Sequence, residues 1–202
     1  MTLDVARQTA LKHLERLVML SDGVFAIAIT LSAIEIHAEP RAGESLWQAW
    51  GPALLVYFLS FFLIGLVWLV HRRIVSFLRD IDGVGTVINM VLLSLVALVP
   101  VVVRFALTHP TQQGALLVYA LAFAALYAMM AVLWGYAAFV ARLTLDVSRP
   151  VAVGMLCKLC FAVAVFTGAT MYQLGFLVAA VLCVLTALPL RWMAWRQRVP
   201  AS

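Results

Sequence analysis

Six long apolar runs, separated by short stretches that gather most of the charge, set the pattern of this chain. A membrane-spanning helix needs about 20 predominantly apolar residues, within a range of roughly 17 to 25. Runs at 14–36, 47–71, 85–105, 114–140, 151–168 and 173–190 fit. The punctuation between them is specific. An acidic loop from His37 to Glu44, with Pro40 and Gly43, follows the first run, and His71-Arg72-Arg73 with Arg79 closes the second. Asp80-Ile-Asp82-Gly83 opens the third, which ends before Thr108-His109-Pro110, and a stretch from Arg142 to Arg149 follows the fourth. The fifth and sixth share residues 151–190, with Gly168 to Gly175 as the only plausible turn, so they form a tight hairpin. Pro189 and the segment Arg191 to Arg198, which carries two tryptophans, end the last helix with a basic interfacial anchor. The pattern predicts an all-α membrane protein: one domain over 1–202, six transmembrane helices and no soluble domain.

Composition agrees. The 202 residues are 65% hydrophobic and 11% charged, with a mean hydropathy of +1.06, whereas a soluble domain carries about 25% charged residues. The net charge of +5 therefore speaks for membrane orientation and gives no reason to expect a nucleic-acid partner. With the N-terminus cytoplasmic, eleven of the fourteen lysines and arginines fall inside; only Arg41 and Arg104 fall outside, and Lys158 lies within a span. By the positive-inside rule both termini are cytoplasmic in a multi-pass protein of the cell membrane. No cleavable signal peptide is expected, because the polar segment Met1 to Arg16 leads into an apolar run without a small-residue cleavage site. Cys157, Cys160 and Cys183 lie in apolar runs without polar ligands beside them, so neither a metal nor a cofactor is expected. Lys158 is expected to snorkel towards the cytoplasmic side.

Polar groups at membrane depth need partners or water. Ser21 and Asp22 lie about 10 Å beyond the start of the first span at 1.5 Å per residue. Trp68 and His71, three residues apart and so on one helix face, lie near the cytoplasmic end of the second, and Asn89 lies about a turn into the third. Arg16, Ser21, Asp22, Trp68, His71 and Asn89 can thus form one hydrogen-bonded layer. Asp22 in particular cannot face lipid.

The same residues carry a family pattern. Arg16-xxx-Leu20-Ser21-Asp22-xx-Phe25-Ala26 resembles the Arg-xxx-Phe-Ser-Asp-xx-Phe-Ala signature of the endosomal and lysosomal potassium channel family, the transmembrane-protein-175 family, with Leu20 in place of Phe. Trp68-Leu-Val-His71-Arg72 resembles its Trp-xx-His-His element, with Arg72 replacing the second histidine, and Asp82-Gly83, Asn89, Leu92, Leu93 and Pro100 resemble its third-helix entry. The resemblance covers roughly the first 105 residues. It implies a bacterial-type member with six spans per chain, assembled as a homotetramer around its first helices, in which the arginine and aspartate brace the first helix. The departures at Leu20 and Arg72 touch that bracing.

Ile27, Leu31 and Ile34 form a single helical stripe with Thr30 beside it, and Asp22 lies some 140° from Ile27. Gly23 is placed off the stripe. By resemblance, the stripe is the hydrophobic pore constriction, Ile27 foremost, and Thr30 contributes to potassium preference. Glu35, with Glu39 and Glu44, is a candidate outer mouth. Nothing like Thr-Val-Gly-Tyr-Gly occurs, so a filter of stacked carbonyls is not available. The expected function is a potassium-selective cation channel, with potassium as the permeant ion and the bilayer as its setting. The alternative is a small proton-coupled transporter using Asp22 and His71. No Ser-His, paired-Asp or His-Glu-xx-His arrangement points to an enzyme.

Overall fold

In the computed structural model the chain is described over residues 2–34, 43, 45–108 and 114–196, with side chains described for 11–33, 43, 45–55, 57–106 and 114–194. The elements are α1 (Thr2–Ile34), α2 (Leu46–Val75), α3 (Gly83–Thr108), α4 (Ala115–Gly135) continued by a π-helical turn (Tyr136–Val140), α5 (Arg149–Gln173) and α6 (Leu177–Arg196). Among the described residues, all six helices contain a stretch long and apolar enough to cross a membrane. In α1 that stretch is Leu11–Ala33, so the polar first turns extend the helix beyond it.

Local chemistry explains the helix ends. Ser45 and Gln48 form a reciprocal capping box at α2: the Gln48 amide donates to Ser45 Oγ at 3.3 Å, and the Ser45 amide to Gln48 Oε1 at 2.9 Å. Asp82 caps α3, its Oδ1 accepting the Gly85 amide at 2.8 Å. Pro150 sits within the first two positions of α5, where a missing N–H costs nothing. The turn expected over Gly168 to Gly175 is shorter than that: α5 continues to Gln173 and only Gly175, at φ +83°, makes the reversal. Gly168 serves packing instead. A Cβ there would lie 3.3 Å from both the Ala180 carbonyl oxygen and Cys183 Cβ of α6, so the missing side chain lets the two backbones close.

The helices associate mainly with chain neighbours. α1 packs on α2 and α3, which also touch each other; α3 meets α4, α4 meets α5, and α5 meets α6. The main core joins Phe25, Ile64, Leu92, Val96, Met130 and Trp134, and the Trp134 indole donates to the Ala152 carbonyl at 2.9 Å. At the basic end of the bundle the α2–α3 and α4–α5 connections are clasped. Leu78 and Thr144 form an antiparallel bridge, with the Arg79 amide donating to the Leu143 carbonyl at 2.9 Å and the Leu145 amide to the Phe77 carbonyl at 2.8 Å. The π turn brings the Tyr136 hydroxyl to the second oxygen of Asp82. Arg142, at φ +52°, turns the chain out of it.

Candidate functional site

Helix α1 has two faces of different character. Leu14, Leu17, Ser21, Phe25, Ala28 and Ser32 are buried against α2 and α3, recurring every three or four residues. On the other side Leu20, Gly23, Ile27, Thr30 and Leu31 are open, with Ile27 59% and Leu31 41% exposed. The side chain of Ile34 lies outside the described residues, as do Glu35, Glu39 and Glu44.

The buried face is held by a directed chain of hydrogen bonds. Ser21 Oγ donates to the Leu17 carbonyl at 2.8 Å and accepts from Asn89 Nδ2 at 3.0 Å. Asn89 Oδ1 lies 2.9 Å from His71 Nε2. Because the amide oxygen can only accept, that ring nitrogen carries the proton and the donors run His71 to Asn89 to Ser21 to Leu17. All three side chains are fully buried. The His71 ring also packs on Phe25 of the signature, with centroids 5.3 Å apart. One residue from each of α1, α2 and α3 thus fixes the three-helix corner, where an unpaired polar group would be costly.

Asp22 belongs to a second, more exposed contact. Its Oδ1 accepts the Trp68 indole proton at 2.7 Å, and the Arg72 guanidinium lies 5.4 Å from the centroid of the same indole. Asp22 is otherwise exposed, at the edge of the open face. Arg72 thus contacts the same indole that donates to Asp22, whereas the Leu20 side chain is on the open face.

Two placements need correction. Arg16 is not part of the hydrogen-bonded layer within the subunit. It is exposed, and among the described residues it has no hydrogen-bond or ion-pair partner. The reason is helical phase, since eleven residues make slightly more than three whole turns and bring Arg16 onto the Ile27 side. Gly23, four residues before Ile27, likewise lies on the stripe's face and not off it. Its missing Cβ would meet nothing within 4 Å. Thr30, also on the open face, donates to the Ala26 and Ile27 carbonyls at 3.1 and 3.0 Å.

Sequence reading missed the clasp at the basic end. Asp82 and Tyr136 are 54 residues apart, and backbone pairing between Leu78 and Thr144 leaves no mark on side-chain pattern. The cysteines Cys157, Cys160 and Cys183 are free thiols, and among the described residues no group of histidine, cysteine and carboxylate side chains is arranged to hold a metal.

Residues 16–100, which contain the layer and the open stripe, match the family described as Endosomal/lysosomal potassium channel TMEM175. A protein of Streptomyces collinus named a potassium channel is 39% identical over 84 residues, covering 40% of this chain and 41% of that one. A protein of Chamaesiphon minutus, also named a potassium channel, is 36% identical over 138 residues, 63% of this chain and 68% of that one. The crystal structure of a lysosomal potassium-selective channel TMEM175 homolog from Chamaesiphon minutus superposes with a TM-score of 0.66 at 25% identity, covering 93% of this chain and all of the other. The match therefore reaches beyond the signature to the whole arrangement of helices, and this chain belongs to the TMEM175 family.

Proposed function

We propose that the protein is a potassium-conducting channel of the cell membrane, assembled as a homotetramer in which α1 of each subunit lines a shared axial pore. The observation that carries this reading is the split character of α1. One face is locked by the buried chain from His71 to Leu17, while the other offers Ile27, Leu31 and Thr30 uncovered by its own subunit. Lipid would suit the aliphatic residues of that face but not Arg16, nor the carboxylate of Asp22 at its edge. Neighbouring copies and a water-filled axis suit both.

In this arrangement four Ile27 side chains form a short apolar ring that resists wetting, with Leu31 and Ile34 continuing it. An ion passing the ring loses part of its water, and Thr30 offers hydroxyl oxygen beside it. Arg16 then faces the neighbouring subunits, and Glu35 concentrates cations at the outer mouth. Both termini are cytoplasmic, as the placement of eleven of the fourteen basic residues favours. The family is one of ion channels, so no catalytic chemistry enters. A carrier in which Asp22 and His71 exchange protons has less support, because the two are bonded to different partners, Trp68 and Asn89.

Potassium-driven flux into liposomes containing the purified protein tests the reading, with unitary currents in a planar bilayer to separate channel from carrier. Resolvable unitary events from a four-subunit particle are expected. Absence of flux from a correctly assembled particle, or a stable monomer that conducts, would overturn it, and labelling of a Ser202→Cys variant from outside would reverse the orientation.

A further inference from the structure

Apart from the α1 face, the bundle carries a groove of about 420 Å³ between α2, α4 and α5, bordered by Leu66, Leu69, Arg73, Tyr127, Lys158 and Leu159. Its size is that of a small-molecule site. Its shape follows the membrane normal. Arg73 is two residues from the end of α2, Lys158 nine residues into α5, and Tyr127 thirteen residues before the end of the π turn. At 1.5 Å per residue the groove therefore runs from the basic end of the bundle to about 20 Å in, somewhat past the half-thickness of about 15 Å of a bilayer core. Both of its charged lining residues are cations, and no carboxylate lines it. A second groove of similar volume, between α5 and α6, is lined by residues such as Val165, Tyr172 and Val181 and contains no charged group.

We propose that the first groove binds an anionic phospholipid from the leaflet at the basic end. Its headgroup phosphate sits between Arg73 and Lys158, and one acyl chain lies along Leu66, Leu69 and Leu159. The chemistry selects this occupant. Arg73 lies about 3 Å along its helix from the basic end and Lys158 about 14 Å along its own, so the long Lys158 stem bends back towards Arg73 for guanidinium and ammonium to match a phosphodiester, while the aliphatic wall matches hydrocarbon and offers nothing to a soluble anion. Lys158, inside an otherwise apolar helix, reaches towards the interface in doing so. The α5–α6 groove has the wall without the cations, so it takes lipid chains regardless of headgroup.

Native mass spectrometry of the assembled, delipidated protein titrated with phosphatidylglycerol or phosphatidylcholine tests this. Phosphatidylglycerol is expected to bind about tenfold more tightly, at one site per chain. The Arg73→Gln/Lys158→Gln variant should lose that preference and Arg73→Lys/Lys158→Arg should keep it. Glycerol phosphate, which has the head without the chains, should not displace the lipid. If the glutamine pair fails to assemble, Leu66→Trp, which fills the wall and keeps both cations, should reduce phosphatidylglycerol retention instead. Equal retention of the two lipids by the parent protein would overturn the proposal. So would an undiminished preference in the glutamine variant, displacement by glycerol phosphate, or a neighbouring subunit found seated in the groove. None of these readouts depends on ion conduction.

Discussion

Replacing Asn89 with leucine, which has nearly the same shape, removes the centre of the buried chain without opening a cavity. Two hydrogen bonds are lost, at 2.9 Å to His71 and 3.0 Å to Ser21. The His71 Nε2 proton is left unpaired in a fully buried position, while the Ser21 hydroxyl still donates to Leu17. An orphaned buried donor costs about 1–3 kcal/mol, and a single interhelical hydrogen bond in a membrane protein averages about 0.6 kcal/mol. The loss is therefore about 2 kcal/mol, equivalent to a fall of about 4–8 °C in the unfolding midpoint for a chain of this size. Ser21→Ala breaks one of the two bonds but orphans the buried Asn89 Nδ2 donor, so it should cost about as much. The double variant should fall short of additivity by about 1 kcal/mol or more, since with Asn89 gone the loss of Ser21 orphans no donor and the Ser21–Asn89 bond is counted once. Thermal unfolding of the assembled protein, followed by the oligomer peak in size-exclusion chromatography, provides the measurement. If Asn89→Leu leaves the midpoint unchanged, or if the two effects add fully, the directed chain does not hold the corner.

Further outcomes follow from other parts of the molecule. Ile27→Asn should raise flux several-fold and reduce discrimination between potassium and sodium, while Thr30→Val should lower potassium preference with less change in total flux. Both are read in liposomes against Leu182→Asn on α6, because Gly23 shares the Ile27 face and cannot act as a control. Gly168→Val should destabilise the α5–α6 hairpin by about 1–3 kcal/mol through overpacking, seen as an earlier unfolding midpoint; an unchanged midpoint would mean that the two helices can separate freely. Asp82→Ala removes both the α3 cap and the Tyr136 contact, so it should cost more than Tyr136→Phe, which removes only the latter, by about 1 kcal/mol in the same assay.

The number and type of elements are legible because bilayer thickness imposes a length on every apolar run, and the six runs have it. The partners of Ser21, Asp22, Trp68, His71 and Asn89 are legible to the level of a shared layer, since alternate helix direction puts those positions at one depth. Which pairs bond is not, because depth leaves rotation of each helix undetermined. Arg16 illustrates the difference: at the right depth for the layer, it has the wrong phase. Gly168 reads as punctuation because a glycine marks a turn and a close helix crossing with the same letter, and only the position of α6 distinguishes them. The π turn that carries Tyr136 to Asp82 has no pattern of its own in the sequence.

The hydroxyls of α1 have one further consequence. Ser21, Thr30 and Ser32 each donate their proton to a carbonyl of their own helix. For Thr30, on the open face, the hydrogen is thereby turned back towards the backbone and the oxygen presents lone pairs outward. A hydroxyl fixed this way behaves as an acceptor only, with the polarity of a carbonyl. It offers a cation a negative dipole, whereas an anion approaching the same face finds no proton to meet it.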